Sequence, residues 1–180
     1  MAAKRSRSKR SKRKLDEQYT PSSFFGPLNR EFRFTMDPCA TAESAKCKAF
    51  YTKKDNGLSR PWSGRVWLNP PYSNIGAWLA KAIEELKSGR VTKVVALLPA
   101  WTDRKWWHLY VEPARDAPHG PKVRFVKGRV VFGCPGNPQG KKRGSGTFPS
   151  VVVIWRKPRR VRLQMADPRQ LSMDWLKFGC

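Results

Sequence analysis

Acidic residues are scarce in this 180-residue chain: 13 Asp and Glu stand against 37 Lys and Arg, a formal net charge of +24. Such a field draws in polyanions, nucleic acid before anionic membrane. Cysteine and histidine are also few. Cys39, Cys47, Cys134 and Cys180 form no C-x-x-C pair, and His108 and His119 lie far from them in sequence, so no metal centre is expected. No apolar run approaches the roughly 20 residues of a membrane span, and no membrane association is expected. The basic amino terminus is not followed by an apolar segment, so no export signal is expected. The thiols are then expected to be reduced, in the cytoplasm (a host cell's if the gene is viral, the nucleus only in a eukaryote). No internal repeat interrupts this picture.

What is present suits one domain with tails. Eight of the basic residues lie in residues 1–14, "MAAKRSRSKRSKRK", a Lys/Arg/Ser tract with no apolar period. It is expected to be disordered when free, as a solubilising or targeting tail or as a nucleic-acid arm. Removing those eight charges still leaves +16 on the remainder, so the body is basic too. Residues 15–156 form the expected domain, and 157–180 a basic carboxyl-terminal extension.

Within the domain, 33–37 and 65–69 read as strands, while 43–52 is short and ambiguous. Residues 74–88 make the best helix, with Ile75, Trp78, Leu79, Ala82, Ile83 and Leu86 on one face and Gly89 as a stop. Ser73 and Asn74 are its cap candidates. "KVVALLPA", 93–100, is continuously apolar, as expected of a strand buried on both faces of a parallel sheet. Residues 103–112 suggest a short helix. Residues 122–133 and 149–155 suggest a late antiparallel strand pair around a glycine-rich basic loop. The order predicts an α/β sandwich of Rossmann-like type with a mostly parallel sheet. Ligands in such sheets bind beyond the carboxyl ends of the strands, which places Asp37, Asn69 and the 99–103 corner along one edge.

The stretch "VWLNPPYSN", 66–74, ends a strand on a rigid polar corner. Asn69 offers one acceptor oxygen and two donor hydrogens on a short stem. Pro70 and Pro71 lack N–H groups, keep the backbone stiff and leave carbonyls free to accept. Tyr72 adds a flat face with a polar tip. Two acceptors beside a stacking platform suit an exocyclic amine on a ring. Gripping its hydrogens would free the nitrogen lone pair, most of all in the transition state.

Asn69-Pro70-Pro71-Tyr72 resembles the catalytic motif of S-adenosylmethionine-dependent amino methyltransferases. The ordered set "YTPSSFF", "FTMDPCATAESAKCKAFYTKKDNGLSRPWSGRVWLNPPYSNIGAWLAKA", "VVALLPAWTDRKWW", "VRFVKGRVVF" and "FPSVVVIW" resembles the phage-type DNA N6-adenine methyltransferases over roughly residues 18–156. That resemblance implies methyl transfer to adenine in DNA, with the base flipped out of the helix. It implies that Tyr19, Thr20 and Pro21 line the cofactor site, and that Asp37, Pro38, Cys39 and Ala40 approach its methionine part. Asp55 would lie near its adenine, and Asn69 to Tyr72 would hold the target base. A flipped base needs stacking partners and a basic track. Trp62, Trp67, Trp101, Trp106 and Trp107 are candidates for stacking. Alternation along its strand assigns Trp67 to the core, and Trp101 is the residue expected at the cleft. Lys141, Lys142 and Arg143 suit phosphate contacts.

Two features depart from the wider methyltransferase pattern. "DPCATAES" replaces the usual glycine-containing loop, and residues 38–68 are short for a full helix-strand-helix repeat. Two other readings therefore stand beside the first: a basic nucleic-acid-binding protein on a decayed methyltransferase scaffold, and a methyltransferase for RNA or protein amines. No separate target-recognition segment stands out, so a short or relaxed site is expected.

Overall fold

The computed structural model describes residues 16–115, 117, 120–137 and 148–157. Lys141, Lys142, Arg143 and both expected tails lie outside the described residues, apart from Lys157. Six strands, β1 (Met36–Asp37), β2 (Ala49–Phe50), β3 (Gly64–Leu68), β4 (Val91–Pro99), β5 (Lys122–Phe125) and β6 (Ser150–Arg156), form one sheet in the order β2-β1-β3-β4-β6-β5. The pairings β2-β1, β1-β3 and β3-β4 are parallel. Strand β6 runs antiparallel to both β4 and β5. The helices are α1 (Ser22–Phe32), α2 (Ile75–Ser88) and α3 (Lys105–Tyr110).

Alternation along the strands builds two cores, one on each face of the sheet. Val66, Leu68, Val94, Ala96, Leu98, Val151 and Val153 face α2, whose Ile75, Trp78, Leu79, Ala82 and Leu86 close that side. Trp67, Val95, Leu97, Val152 and Ile154 face the other way and meet Phe25 and Phe32 of α1. The unbroken apolar run of β4 is thus explained by burial on both faces.

Four expectations are corrected in extent. Residues 33–37 shorten to a two-residue strand because Arg33, at φ 51°, is the left-handed cap of α1, its N–H bonded to the Asn29 carbonyl at 2.8 Å. Residues 122–133 stop being strand after Phe125, and Gly128 then turns the chain at φ 77°. The ambiguous 43–52 stretch contributes only β2, and α3 stops at Tyr110, short of the expected 112. Helix α2 ends as its sequence suggests, on Gly89 at φ 82°. Its start differs: Ser73 and Asn74 lie in a 3-10 turn, Tyr72–Asn74, and supply no side-chain cap. The distant Asp16 does so instead, accepting from Ser73 N–H at 2.9 Å and Ser73 O–H at 2.8 Å.

Glu85 is an acid on the buried side of α2, fully shielded from solvent. Burial opposes its ionisation, but the partners Lys81 at 2.8 Å and Arg90 at 2.8 Å outweigh it and hold its pKa below the usual range. Its contribution to stability is therefore complete above the ordinary carboxyl pKa and disappears as the pH falls through the lowered one. Glu85→Ala is expected to cost about 3 kcal/mol at pH 7, since it removes the nearer acidic partner of the largely buried Lys81 ammonium and leaves it only Glu84 at 3.7 Å. Denaturant titration should show that cost shrinking in acid.

Candidate active site

The chain reverses its direction of growth across the sheet at β1: β2 is added on one side and β3 on the other. The carboxyl ends of β1 and β3 therefore flank a switch point, where a crevice is expected. A cavity of about 730 Å³ opens there, a size suited to a cofactor-sized ligand. Tyr19, Thr20, Asp37, Cys39, Ala40, Asn69 and Pro71 all line it, so residues scattered over fifty positions of sequence share one wall. Pro21 and Pro38 are buried but do not line the cavity. Pro21 opens α1, its carbonyl accepting from Phe24 and Phe25 N–H at 3.0 Å. Asp55 also stays outside the lining. Its exposed carboxylate closes its own turn, accepting from Thr52 N–H at 2.8 Å and Thr52 O–H at 2.6 Å. These bonds hold its pKa low.

Asp37 is 3% exposed. Its oxygens accept backbone N–H groups of Cys39 at 3.4 Å and Lys46 at 3.1 Å, but no cation touches it among the described contacts. Desolvation pushes its pKa up to about 6 against those two bonds. Burial likewise raises the Cys39 thiol far above its ordinary value and Cys47 to about 12, which makes both poor nucleophiles. Lys46, which the sequence did not single out, lines the cavity too, and burial lowers its pKa.

The absent glycine loop has a partial counterpart. Gly57 lies against the loop after β1 so closely that a Cβ there would stand 2.1 Å from the Pro38 carbonyl oxygen. The Gly57 carbonyl also accepts the buried Trp62 indole N–H at 2.8 Å. Close backbone approach is thus obtained from the far side of the cavity.

Asn69 follows β3. Its Nδ2 donates to the Gln18 carbonyl at 2.5 Å and to Thr20 Oγ1 at 3.1 Å. Its Oδ1 accepts from Tyr72 O–H at 3.2 Å. A carbonyl can only accept, so Gln18 fixes which end of the amide faces it and turns Oδ1 toward Tyr72. Asp16 and Gln18 are site residues that sequence reasoning missed. No local spacing signals contacts made over 57 and 51 positions.

Tyr72 corrects an expectation. It is 5% exposed, and its ring is no open platform. Trp101, Phe132 and Phe148 surround it edge-on, with centroids at 6.3, 6.2 and 5.5 Å. Burial raises its phenol pKa well above the ordinary value, so the hydroxyl stays protonated and donates. A second, more open cavity of about 410 Å³ lies beyond, lined by Tyr72, Ser73, Trp101, Arg104 and Trp106. Arg104 lies over the Trp101 ring at 5.6 Å. Trp62, Trp67 and Trp107 are buried in the core and are excluded as stacking partners. The corner from Asn69 to Tyr72 is therefore a wall between two cavities. Among the described residues no group of His, Cys, Asp or Glu could hold a metal, and no helix is long and apolar enough to cross a membrane.

The model of the DNA N-6-adenine-methyltransferase (Dam) family matches residues 7–173. The chain belongs to that family. It is 31% identical over 124 residues to the DNA N-6-adenine-methyltransferase of Haemophilus phage HP1, covering 68% of this chain and 67% of that one. It is 35% identical over 91 residues to the DNA N-6-adenine-methyltransferase of Escherichia phage T1. That second match covers 49% of this chain and only 37% of the T1 protein.

Two outcomes follow from this geometry. Asp37 carries a folded pKa above its unfolded one, so it costs stability that is absent in acid and fully present above pH 6. Asp37→Asn should gain on the parent by up to about 3 kcal/mol between pH 4 and pH 7, read by denaturant unfolding at each pH. Gly57→Ala must push the loop off Pro38. It should lower the melting midpoint, as measured by calorimetry.

Proposed function

We propose that this chain transfers a methyl group from S-adenosylmethionine to the N6 amine of adenine in DNA, on a base turned out of the helix. The observation that carries the reading is the wall itself: one face of the Asn69–Tyr72 corner lines the larger cavity and the other lines the more open aromatic one. Family membership supplies the adenine-N6 chemistry.

The larger cavity fits such a donor. Asp37 is a buried carboxylate without a touching cation, so a ligand bringing positive charge would relieve its desolvation. Tyr19, Thr20, Cys39 and Ala40 would contact the same ligand, and Lys46 would border it. When bound, S-adenosylmethionine supplies an electrophilic methyl group on a sulfonium. The chain's own residues then have the work of orientation. Asn69 Oδ1, after accepting from Tyr72, keeps one lone pair for an N6 hydrogen. The Pro70 carbonyl would take the other. Both bonds tighten as the nitrogen becomes tetrahedral, which favours the transition state over the ground state. One N6 proton must leave after transfer. Asn69 cannot hold it, so it passes to water.

The target base would enter from the open cavity, between Trp101 and Tyr72, and this requires the edge-on rings to part. Phe148, half the distance problem in sequence terms because it follows the glycine-rich loop, would then be a stacking partner alongside Trp101. Arg104 would meet the flanking backbone.

Tritiated methyl transfer from S-adenosylmethionine to unmethylated DNA at low salt, followed by nucleoside analysis, tests the reading. N6-methyladenine is the expected product. Asn69→Ala should lower turnover at saturating donor by a hundredfold or more, beyond any loss of donor binding read by calorimetry. Transfer only to RNA or protein would keep the mechanism and change the substrate. Tight DNA binding with no transfer to any acceptor would favour the non-catalytic scaffold. Donor affinity should weaken as the pH drops below 6, where Asp37 takes up a proton, and Asp37→Asn should flatten that dependence in calorimetry.

A further inference from the structure

The opposite edge of the sheet carries a feature that methyl transfer does not use. Arg65 of β3 pairs in register with Lys93 of β4, and Lys93 pairs with Arg156 of β6. Three cations therefore stand side by side across three adjacent strands. Strand alternation puts all three on the α1 face, with Trp67, Val95 and Ile154. Like charges directly opposite on neighbouring strands are destabilising.

Little in the described structure offsets that repulsion. Glu31 is the acid whose charge reaches Lys93 and Arg156, but both its oxygens are held by Arg124 at 2.6 Å. Lys93 is left over the Phe32 ring at 5.0 Å, with Arg124 over the same ring at 5.4 Å. Arg65 directs its Nε to the Arg33 carbonyl at 2.6 Å. Desolvation and then the neighbouring Arg156 lower the Lys93 pKa, and Arg65 adds to the effect. Arg156 and Arg124 are exposed, and Arg65 and Lys93 are half-exposed. The sequence after β6 adds Lys157, Arg159, Arg160 and Arg162.

A row of like charges that costs folding energy is explained by a polyanion that neutralises it. We propose that the Arg65–Lys93–Arg156 row is a second contact surface for nucleic-acid phosphates, at the sheet edge opposite Asn69. Strand spacing of about 4.8 Å sets the three backbone positions about 10 Å apart end to end, a span over which a duplex presents several phosphates. Arg65 precedes Asn69 by four strand positions, or about 13 Å, and the row stands on the α1 face, whereas Tyr72 and Ile75 of the aromatic cavity belong to the α2-side core. A duplex seated at the aromatic cavity does not cover the row, so the row takes a second segment of DNA. The site is independent of whether the corner transfers methyl groups.

The full-length chain and the triple variant Arg65→Gln/Lys93→Gln/Arg156→Gln should be compared for binding to a fluorescent duplex of G·C pairs only. Without adenine, that duplex offers no target base. Each lost phosphate contact removes about 0.9 from the slope of log affinity against log salt, so a fall of about 2 to 3 is expected. The melting midpoint should stay level or rise. Arg156→Gln alone, at an exposed strand end, should lower the slope by about 0.9 and guards against misfolding of the triple variant. Unchanged slopes in both variants would overturn the proposal. So would a loss confined to binding of phosphatidylserine vesicles. Absence of methyl transfer in the parent would not touch the result, because neither slope depends on turnover.

Discussion

The Asn69 amide is the joint on which this site depends. Its two donors hold residues 18 and 20, and its acceptor holds Tyr72. Two hydrogen bonds thus tie the segment before α1 to the corner after β3, and the third closes the corner on itself. Asp16 adds two more to Ser73, and Tyr19 exchanges backbone bonds with Gly133 at 3.0 and 2.8 Å. The corner cannot turn by itself, and the oxygen that faces the Tyr72 hydroxyl is set by a carbonyl that has no alternative but to accept. A loose asparagine on a loop would sample both amide orientations, and one of them presents donors where an amine needs acceptors. Preorganisation of this kind is what lets a neutral side chain contribute to catalysis.

That rigidity coexists with two local costs. Asp37 is buried without a touching cation, and the Arg65–Lys93–Arg156 row opposes like charges. Both sit at ends of strands whose middles are apolar on each face. The middle of the sheet supplies stability, since each fully buried large apolar side chain contributes about 1.5–3 kcal/mol. The ends spend some of it on charge.

Much of this was legible in the sequence because the signals were local. The period of Ile75, Trp78, Leu79, Ala82 and Leu86 gave α2 its buried face, and the run from Val94 to Leu98 read as a strand covered on both sides. The rigid corner after Leu68 read as a site because its residues are poor choices for an ordinary turn. The strand-end rule placed Asp37 at the edge of the sheet, and resemblance added Tyr19 and Thr20, which composition alone does not mark. Boundaries failed where one residue served two elements: Arg33 looks like the start of a strand and acts as the cap of a helix. Asp16 and Gln18 were invisible because their partners lie over fifty positions away. Tyr72 was misread in posture, since one sequence cannot show that Phe132 and Phe148 close around a ring.

The posture of Tyr72 carries the last step. Its hydroxyl holds Asn69 Oδ1 while its ring packs among Trp101, Phe132 and Phe148. The same side chain therefore senses the aromatic cavity and the acceptor. Parting those rings to admit a base would replace edge-on contacts with a stacked one, of comparable strength. The exchange need not disturb the hydroxyl, which points the other way, toward Asn69. A base could thus be received without loosening the amide that must grip it. Phe148 lies two residues before β6, whose Ser150 pairs with Pro99 of β4, and the Ala100 N–H binds the Pro149 carbonyl at 2.9 Å. Trp101 and Phe148 are consequently held beside the same strand pair, while Tyr72 is held to Asn69 at the end of β3.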